Sequence, residues 1–429
     1  MAPFGRACGR PPPTPPTPPS TPMPETDSLL EGARRCVHCG LCLPRCPTYA
    51  LAREEGEAPR GRTLLIQGLL EGRLEPDRAL AGHLERCLLC RACEAVCPAE
   101  VPFGRLMDGA RAELRRRGLP LSPRQRELLD LAEDPRRQRR LAWLLWAARA
   151  SGLAALAPLA GKGREARMLP RLPRPRPFRP LYPAQGEERG RVALFLGCLG
   201  PALDPGPLRA ALALLPRLGY AVAVPGDQAC CGALAAHAGE AARAARLAQT
   251  NRRAFEGLGV EAVLAAASGC AAQLAEGGKL GVPVRELAGF LAERLGERVG
   301  EQENTRLRLR PLRARAAFHT PCTLAFPLRG AEGPRRLLEA VPELEVVPLE
   351  GPRGCCGAAG AHLLERPEQA DELGRPLIEA LRRSGASLLL TSNTGCALHL
   401  RQLARRAGLR VAVLHPVELL ARQMEPAWA

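Results

Sequence analysis

The sequence predicts an α+β multidomain chain, in which a helical, cysteine-rich amino-terminal domain precedes two tandem α/β modules with mainly parallel sheets. Three observations predict it. Cys36–Pro47 reads Cys-Val-His-Cys-Gly-Leu-Cys-Leu-Pro-Arg-Cys-Pro, and Cys87–Pro98 repeats its spacing, C-x2-C-x2-C-x3-C-P, with helical periodicity between the two. Beyond Arg191 a single cysteine, a Cys-Cys-Gly and a Gly-Cys occur twice. The equivalent pairs Cys198/Cys322, Cys230/Cys355, Cys231/Cys356 and Cys270/Cys396 lie 124, 125, 125 and 126 residues apart, the mark of a duplicated module. Inside each copy, short aliphatic runs alternate with longer helical patterns, as βαβ units on a parallel sheet do.

In chain order, residues 1–24 form a proline-rich lead (Arg-Pro-Pro-Pro-Thr-Pro-Pro-Thr-Pro-Pro) that can build neither helix nor sheet, because proline lacks the amide donor. Met23 offers a second start for translation. Residues 25–118 are the first ordered domain, with helices expected over Thr63–Gly72, Arg78–Arg86 and Leu106–Arg117. The Pro59-Arg-Gly-Arg62 stretch reads as a solvated basic turn.

Residues 119–190 are a helical connector ending in a linker, Pro170–Pro183, with a proline every two or three residues. Within the connector, Leu141–Ala160 is the most apolar window of the chain. Arg149, Gly152 and Pro158 interrupt it, which argues against a transmembrane span. A buried or partner-facing helix is the preferred reading there, ahead of one lying on a membrane surface. Residues 191–300 and 311–429 are the two Cys-Cys-Gly modules. In the second, strands are expected at Leu344–Leu349, Ser387–Thr391 and Arg410–Leu414. Each cysteine group then follows a strand, at the carboxyl edge where open α/β sheets hold ligands.

Composition narrows the function. At 429 residues, with 46% hydrophobic side chains, the chain can fill two or three cores. Seventeen cysteines in a long chain without a secretory signal point to metal ligation in a reducing cytoplasm, not to a disulfide scaffold. Cys8 alone stands outside the patterned groups. The net charge of +17 comes from arginine spread along the chain, and aromatics are only 3%. No helix-turn-helix, zinc-finger or aromatic RNA-binding pattern accompanies that charge, so nucleic acid is not an expected partner.

The C-x2-C-x2-C-x3-C-P spacing is that of bacterial cubane iron–sulfur clusters, and it predicts an α-helical ferredoxin domain with two 4Fe-4S sites. In such motifs the fourth cysteine reaches the other cluster. Cys36, Cys39, Cys42 and Cys97 are therefore expected on one, and Cys87, Cys90, Cys93 and Cys46 on the second. Two zinc knots are the competing reading, disfavoured by two complete copies of the x3-C-P ending.

In the modules, Cys198, Cys230, Cys231, Cys270, Cys322, Cys355, Cys356 and Cys396 are candidates for a third cluster or a zinc ion, in preference to inert buried thiols. No dinucleotide fingerprint, phosphate loop or nucleophile elbow occurs, so no flavin or nicotinamide is expected on this chain. The histidines His38, His83, His237, His319, His362 and His415 look scattered and structural.

Two ferredoxin motifs followed by paired Cys-Cys-Gly modules, together with Cys-Val-His-Cys-Gly, Pro-Arg-Gly-Arg, Pro-Cys-Thr-Leu, Cys-Cys-Gly-Ala-Ala-Gly and Asn-Thr-Gly-Cys-Ala-Leu-His-Leu, resemble the iron–sulfur subunits of bacterial glycolate oxidases. The resemblance runs from about Ser28 to the carboxyl terminus. It implies a non-flavin subunit of a 2-hydroxy-acid dehydrogenase complex, taking electrons from a partner FAD subunit that oxidises glycolate or D-lactate and passing them toward quinone. Such a subunit is expected in the cytoplasm, with peripheral contact at the inner membrane face left open.

Related modules occur in heterodisulfide reductase, where the last cysteine of each module begins a C-x2-C pair. Here Gln273 and His399 stand at the partner positions, which removes one thiol from each half. His399 reads as a cluster ligand or a polar residue at a helix start. The alternatives are a thiol–disulfide redox protein of the heterodisulfide type and a zinc-stabilised scaffold.

Overall fold

The computed structural model describes residues 26–157, 159, 161–277, 280–296, 308–351 and 354–425; the proline-rich lead and Cys8 lie outside them. The amino-terminal domain is helical. Its elements are α1 (Thr26–Arg34), α2 (Pro47–Ala52), α3 (Pro59–Leu70), α4 (Arg78–Glu85) and α5 (Phe103–Arg116). They close on one core through Leu29, Ile66, Leu69, Leu84, Leu106, Met107 and Leu114, residues at helical spacing on each element. Asp77 starts α4 by accepting from the Leu80 amide.

The connector carries α6 (Pro123–Glu133), α7 (Pro135–Ala150) and α8 (Gly163–Met168). Ser122 and Gln125 form a capping box that starts α6. The apolar residues Leu129 and Ala132 of α6 cover one face of the first module, and Met168 of α8 packs into the second. α7 differs, since none of its residues is buried. Of the two readings for that window, buried or partner-facing, the buried one is therefore corrected. The first turns of α7 carry Arg136, Arg137, Arg139 and Arg140, and the apolar residues after them stay partly or fully exposed.

The strands are β1 (Leu181–Tyr182), β2 (Gly190–Phe195), β3 (Tyr220–Ala223), β4 (Ala262–Ala265), β5 (Val284–Glu286), β6 (Arg308–Leu309), β7 (Ala314–His319), β8 (Leu344–Pro348), β9 (Leu388–Thr391), β10 (Ala412–Leu414) and β11 (Met424–Glu425). The first module's sheet has the order β1-β3-β2-β4-β5, with β2, β3, β4 and β5 parallel. The second has β10-β9-β7-β8, all parallel. Leaving β1 aside, the order is the same in both, as duplication requires. Near the end of the proline-rich linker, Leu181 and Tyr182 form β1, an antiparallel edge strand on β3.

The halves share a core. Val192, Leu194, Phe290 and Leu291 of the first module pack with Leu337, Val417 and Leu420 of the second. Where the helices Leu287–Gly296 and Glu332–Glu339 cross, a Cβ on Gly333 would stand 2.6 Å from the Gly289 Cα, so the crossing requires glycine. β6 and β11 pair antiparallel and tie the carboxyl end to the start of the second module. Among the described residues, no helix is long and apolar enough to cross a membrane.

Candidate metal centres

The two ferredoxin-type motifs fold alike. Cys36–Cys42 and Cys87–Cys93 are each a tight turn, followed by a short 3-10 segment at Leu43–Arg45 or Glu94–Val96. The residues two and four places after the first cysteine are left-handed in both, His38 and Gly40 (φ 54° and 83°), Leu89 and Arg91 (51° and 60°). Left-handed turn positions gather backbone N–H groups into a concavity suited to an anion. At non-glycine residues they cost on the order of 1–3 kcal/mol each, a strain that concentrates at functional sites. Arg91 is held in place by Glu94 at 2.7 Å and by an ion pair to Glu276 of the first module.

Cys46, Cys87, Cys90 and Cys93 line one small cavity, together with Arg62 and Phe103. The fourth thiol of the first motif thus faces three of the second. Burial pushes the Cys90 and Cys93 thiols well up, and the neighbouring thiols, Cys46 and Cys87 included, push in the same direction. Burial and the neighbouring thiols thus disfavour the Cys90 and Cys93 thiolates; a cationic iron core would offset that, and the four-thiol donor set fits a 4Fe-4S cluster. Of the other proposed ligands, Cys36, Cys42 and Cys97 pack against the helical core, whereas Cys39 is exposed. Burial raises the Cys42 pKa, with Cys36 and Cys46 adding to it.

In the modules each cysteine group follows its strand at matching distance. Cys198 and Cys322 stand three residues past β2 and β7, and Cys270 and Cys396 five past β4 and β9. In the first module the thiols hydrogen-bond in a chain, Cys198 to Cys230, Cys230 to Cys231, and Cys231 to Cys270. Donation from Cys198 and Cys231 holds the Cys230 pKa far below that of a free thiol. In the second, the Cys356 and Cys396 thiols share a hydrogen bond at 2.8 Å, and His319 joins them, with one ligand atom from each within 4.8 Å of the others. Cys322 and Cys355 are driven up first by burial and next by neighbouring thiols. The charge on Cys90 acts on Cys355, and that on Cys322 acts on Cys90. The cavity of Cys46, Cys87, Cys90 and Cys93 therefore adjoins the second module's thiols.

The helical domain also docks on the first module. Arg111 of α5 is buried and donates to the carbonyls of Leu84, Cys87 and His237, at 2.7 Å in each case. His237 Nδ1 lies 3.0 Å from Asp108 of the same helix.

With this geometry in place, comparison with known proteins is direct. The 4Fe-4S dicluster domain matches residues 32–101, and the cysteine-rich domain matches twice, at 192–275 and 316–401. A probable glycolate oxidase iron–sulfur subunit of Bacillus subtilis is 32% identical over 90% of this chain and 92% of its own length. The glycolate oxidase iron–sulfur subunit of Escherichia coli is 33% identical over 94% of this chain and 96% of its own. The chain belongs to the glycolate oxidase iron–sulfur subunit family. A fumarate reductase (CoM/CoB) subunit of Methanothermobacter marburgensis is 28% identical over 90% of this chain and 71% of its own length. As a member of the glycolate oxidase iron–sulfur subunit family, the chain is an iron–sulfur electron-transfer subunit.

Several residues of this glycolate oxidase-type subunit matter in ways the sequence alone did not show. Pro59–Arg62 is not a solvated turn: Pro59 begins α3, and Arg62 is 1% exposed. Arg62 pairs with Glu57 at 2.6 Å and donates to Thr48 Oγ1 and to the carbonyls of Glu57 and His83. Thr48 and the Glu57 carbonyl in turn contact the Cys46 thiol, at 3.3 and 3.6 Å. Arg62 thus fixes the loop that presents Cys46. Burial alone would raise the Glu57 pKa, but Arg86, Arg62 and His83 outweigh it and hold the carboxyl low.

His399 is fully buried in the helix Thr394–Arg406. Its Nδ1 lies 2.6 Å from the Cys356 carbonyl oxygen and its Nε2 3.0 Å from Asp371 Oδ1. Both ring nitrogens are committed, so it braces the Cys-Cys-Gly loop and is no cluster ligand. Asn393, ahead of Cys396, accepts from the Gly395 and Cys396 amides and donates to Ser268 of the first module. His237 and His362 are repeat equivalents, six residues after Cys231 and Cys356. The C-C-G-x4-H period is a signal that could have found them. His319 has both nitrogens engaged, near Thr391 Oγ1 and the Gly354 carbonyl, and burial lowers its pKa to about 4.

Proposed function

We propose that this chain carries electrons from a separate FAD-containing subunit, which oxidises glycolate or D-lactate, toward a quinone. In this reading residues 25–118 hold two 4Fe-4S clusters, and 191–300 and 311–429 are the duplicated modules. Cys36, Cys39, Cys42 and Cys97 would hold one cluster, and Cys46, Cys87, Cys90 and Cys93 the other. Such clusters take up and release single electrons. The observation that carries the proposal is the cavity lined by thiols from both motifs, set against the second module. The protein's own part is to bury the thiols, to fix the Cys46 loop through Arg62, and to bring Cys322 and Cys355 beside Cys90. Cys322, Cys355, Cys356 and Cys396 are then the candidates for a third centre.

Anaerobically purified protein is expected to be brown, with about eight irons and matching acid-labile sulfide from the two motifs. Cys46→Ser should remove about half of that iron and leave the secondary structure intact. Co-expression with a flavoprotein oxidase of the glycolate type should give a complex that reduces a quinone analogue when glycolate is added. Zinc in place of iron and sulfide would overturn the reading.

A further inference from the structure

The connector holds an exposed apolar surface that the electron-transfer site does not use. No residue of α7 is buried. Its open face begins with Arg136, Arg137 and Arg140 and continues with Trp143, which is 43% exposed, and Leu144, which is 68% exposed. The chain then turns, and Leu153, Leu156 and Leu159 are 60, 54 and 86% exposed. Surface leucines scattered singly need no explanation, but five large apolar side chains within one short stretch do. Trp143 and Trp146 stack edge to face at 5.4 Å, and the Arg174 guanidinium sits over both rings, at 5.5 and 5.8 Å. From Pro135 to Gly163 there is no acidic residue, against Arg136, Arg137, Arg139, Arg140, Arg149 and Lys162, of which Arg137 pairs with Asp134 just before the helix.

We propose that α7 and the turn after it seat the protein on an anionic lipid surface. Arginine at one end, tryptophan at the boundary and leucine beyond it is the order in which a helix lying in the headgroup region meets its surroundings. At 16 residues α7 spans about 24 Å, short of the hydrocarbon core, so it lies on the surface without crossing. Charge complementarity selects the occupant. An acid-free stretch of this length suits a uniformly negative lipid face, whereas a protein surface presents charges of both signs. α7 also packs against the short helix Gly200–Leu203, which begins just after Cys198, so the surface lies close to the first module's thiols. The purpose of such seating rests on the proposed delivery of electrons to quinone, but lipid binding itself needs neither cluster nor partner.

The test uses the full chain with sedimentable vesicles of phosphatidylcholine alone, or with about one-third phosphatidylglycerol. Binding to the anionic vesicles should be at least about ten-fold stronger and should weaken with salt. Tryptophan emission should shift to the blue, since two of the chain's three tryptophans lie in α7. The pair Leu144→Glu with Leu156→Glu should abolish binding, and Arg136→Gln, Arg137→Gln and Arg140→Gln together should reduce it about ten-fold or more. The same charge loss on the exposed residues Arg246, Arg252 and Arg253 should leave it nearly unchanged. Equal binding by all variants, or none by the natural chain, would overturn the proposal. So would loss of the flavoprotein partner from the leucine variant with lipid binding intact, which would make the face a protein-docking surface. Vesicle binding can fail while iron loading and partner assembly stand, so the two readings are separable.

Discussion

Arg62 shows what a single side chain does for the proposed cluster site. Removing one member of a buried, hydrogen-bonded pair costs roughly 3–5 kcal/mol, because the other charge stays behind without its partner. Arg62→Ala leaves Glu57 to Arg86 and His83 and frees Thr48, so the loop carrying Cys46 loosens. Because Glu57 keeps two partners, the expected outcome is a smaller fall in stability, about 2–3 kcal/mol, and loss of iron from one site. Chemical denaturation and iron analysis measure the two. Lysine should not rescue it, since one ammonium cannot meet four acceptors spread around a planar fork. This role was not legible in the sequence: Pro-Arg-Gly-Arg shows charge, and charge is usually solvated. What overrides the rule is Glu57, five residues earlier in sequence, together with carbonyls supplied by the fold. The cysteine spacing, by contrast, was legible because the constraint it reports is local.

At the scale of elements, the alternation of aliphatic runs and helical patterns foretold β8, β9 and β10, and the matching cysteine offsets foretold a duplicated module. The packing of those elements was not foretold, because it depends on residues far apart in sequence. Glu286, at the end of β5, is an example. It accepts from the Gly289 amide and so caps the next helix, while its Oε1 is buried without a partner. Burial lifts its pKa to about 7. An unfolded chain releases this proton near pH 4.5, whereas the folded protein keeps it until about 7. Stability from this group is thus complete below pH 4.5, falls as pH rises, and is lost above 7. Glu286→Gln should match the natural chain at pH 5 and exceed it at pH 8 by about 2–3 kcal/mol, read as the gap between denaturation midpoints at the two values. At the nearby crossing, Gly333→Ala would push a methyl against Gly289 and should cost about 1–3 kcal/mol by overpacking.

At the scale of the whole molecule, the helical domain is not a bead on a string. α5 rests on the first module through Arg111, His237 and Asp108, while Cys90 adjoins Cys322 and Cys355 of the second. The domain therefore bridges the two halves, on the side where the cysteines leave their strands. Arg111 is the most exposed to test, because it meets this junction without a carboxylate partner. Its guanidinium is buried, burial lowers its pKa, and its donors go to backbone carbonyls on both sides of the interface. Arg111→Met keeps the volume of the stem and removes every donor. Carbonyls of Leu84, Cys87 and His237 would then be buried with fewer partners, at about 1–3 kcal/mol for each one left unsatisfied. Because those carbonyls belong to two domains, the loss falls on the contact between them. The natural protein should melt in one calorimetric transition that includes the helical domain, and the variant in two. Proteolysis should in that case nick the variant first in the connector, between residues 119 and 190. A variant that still melts as one unit, with its connector protected, would mean that the ion pair between Arg91 and Glu276 and the packing of α6 suffice to hold the domains together.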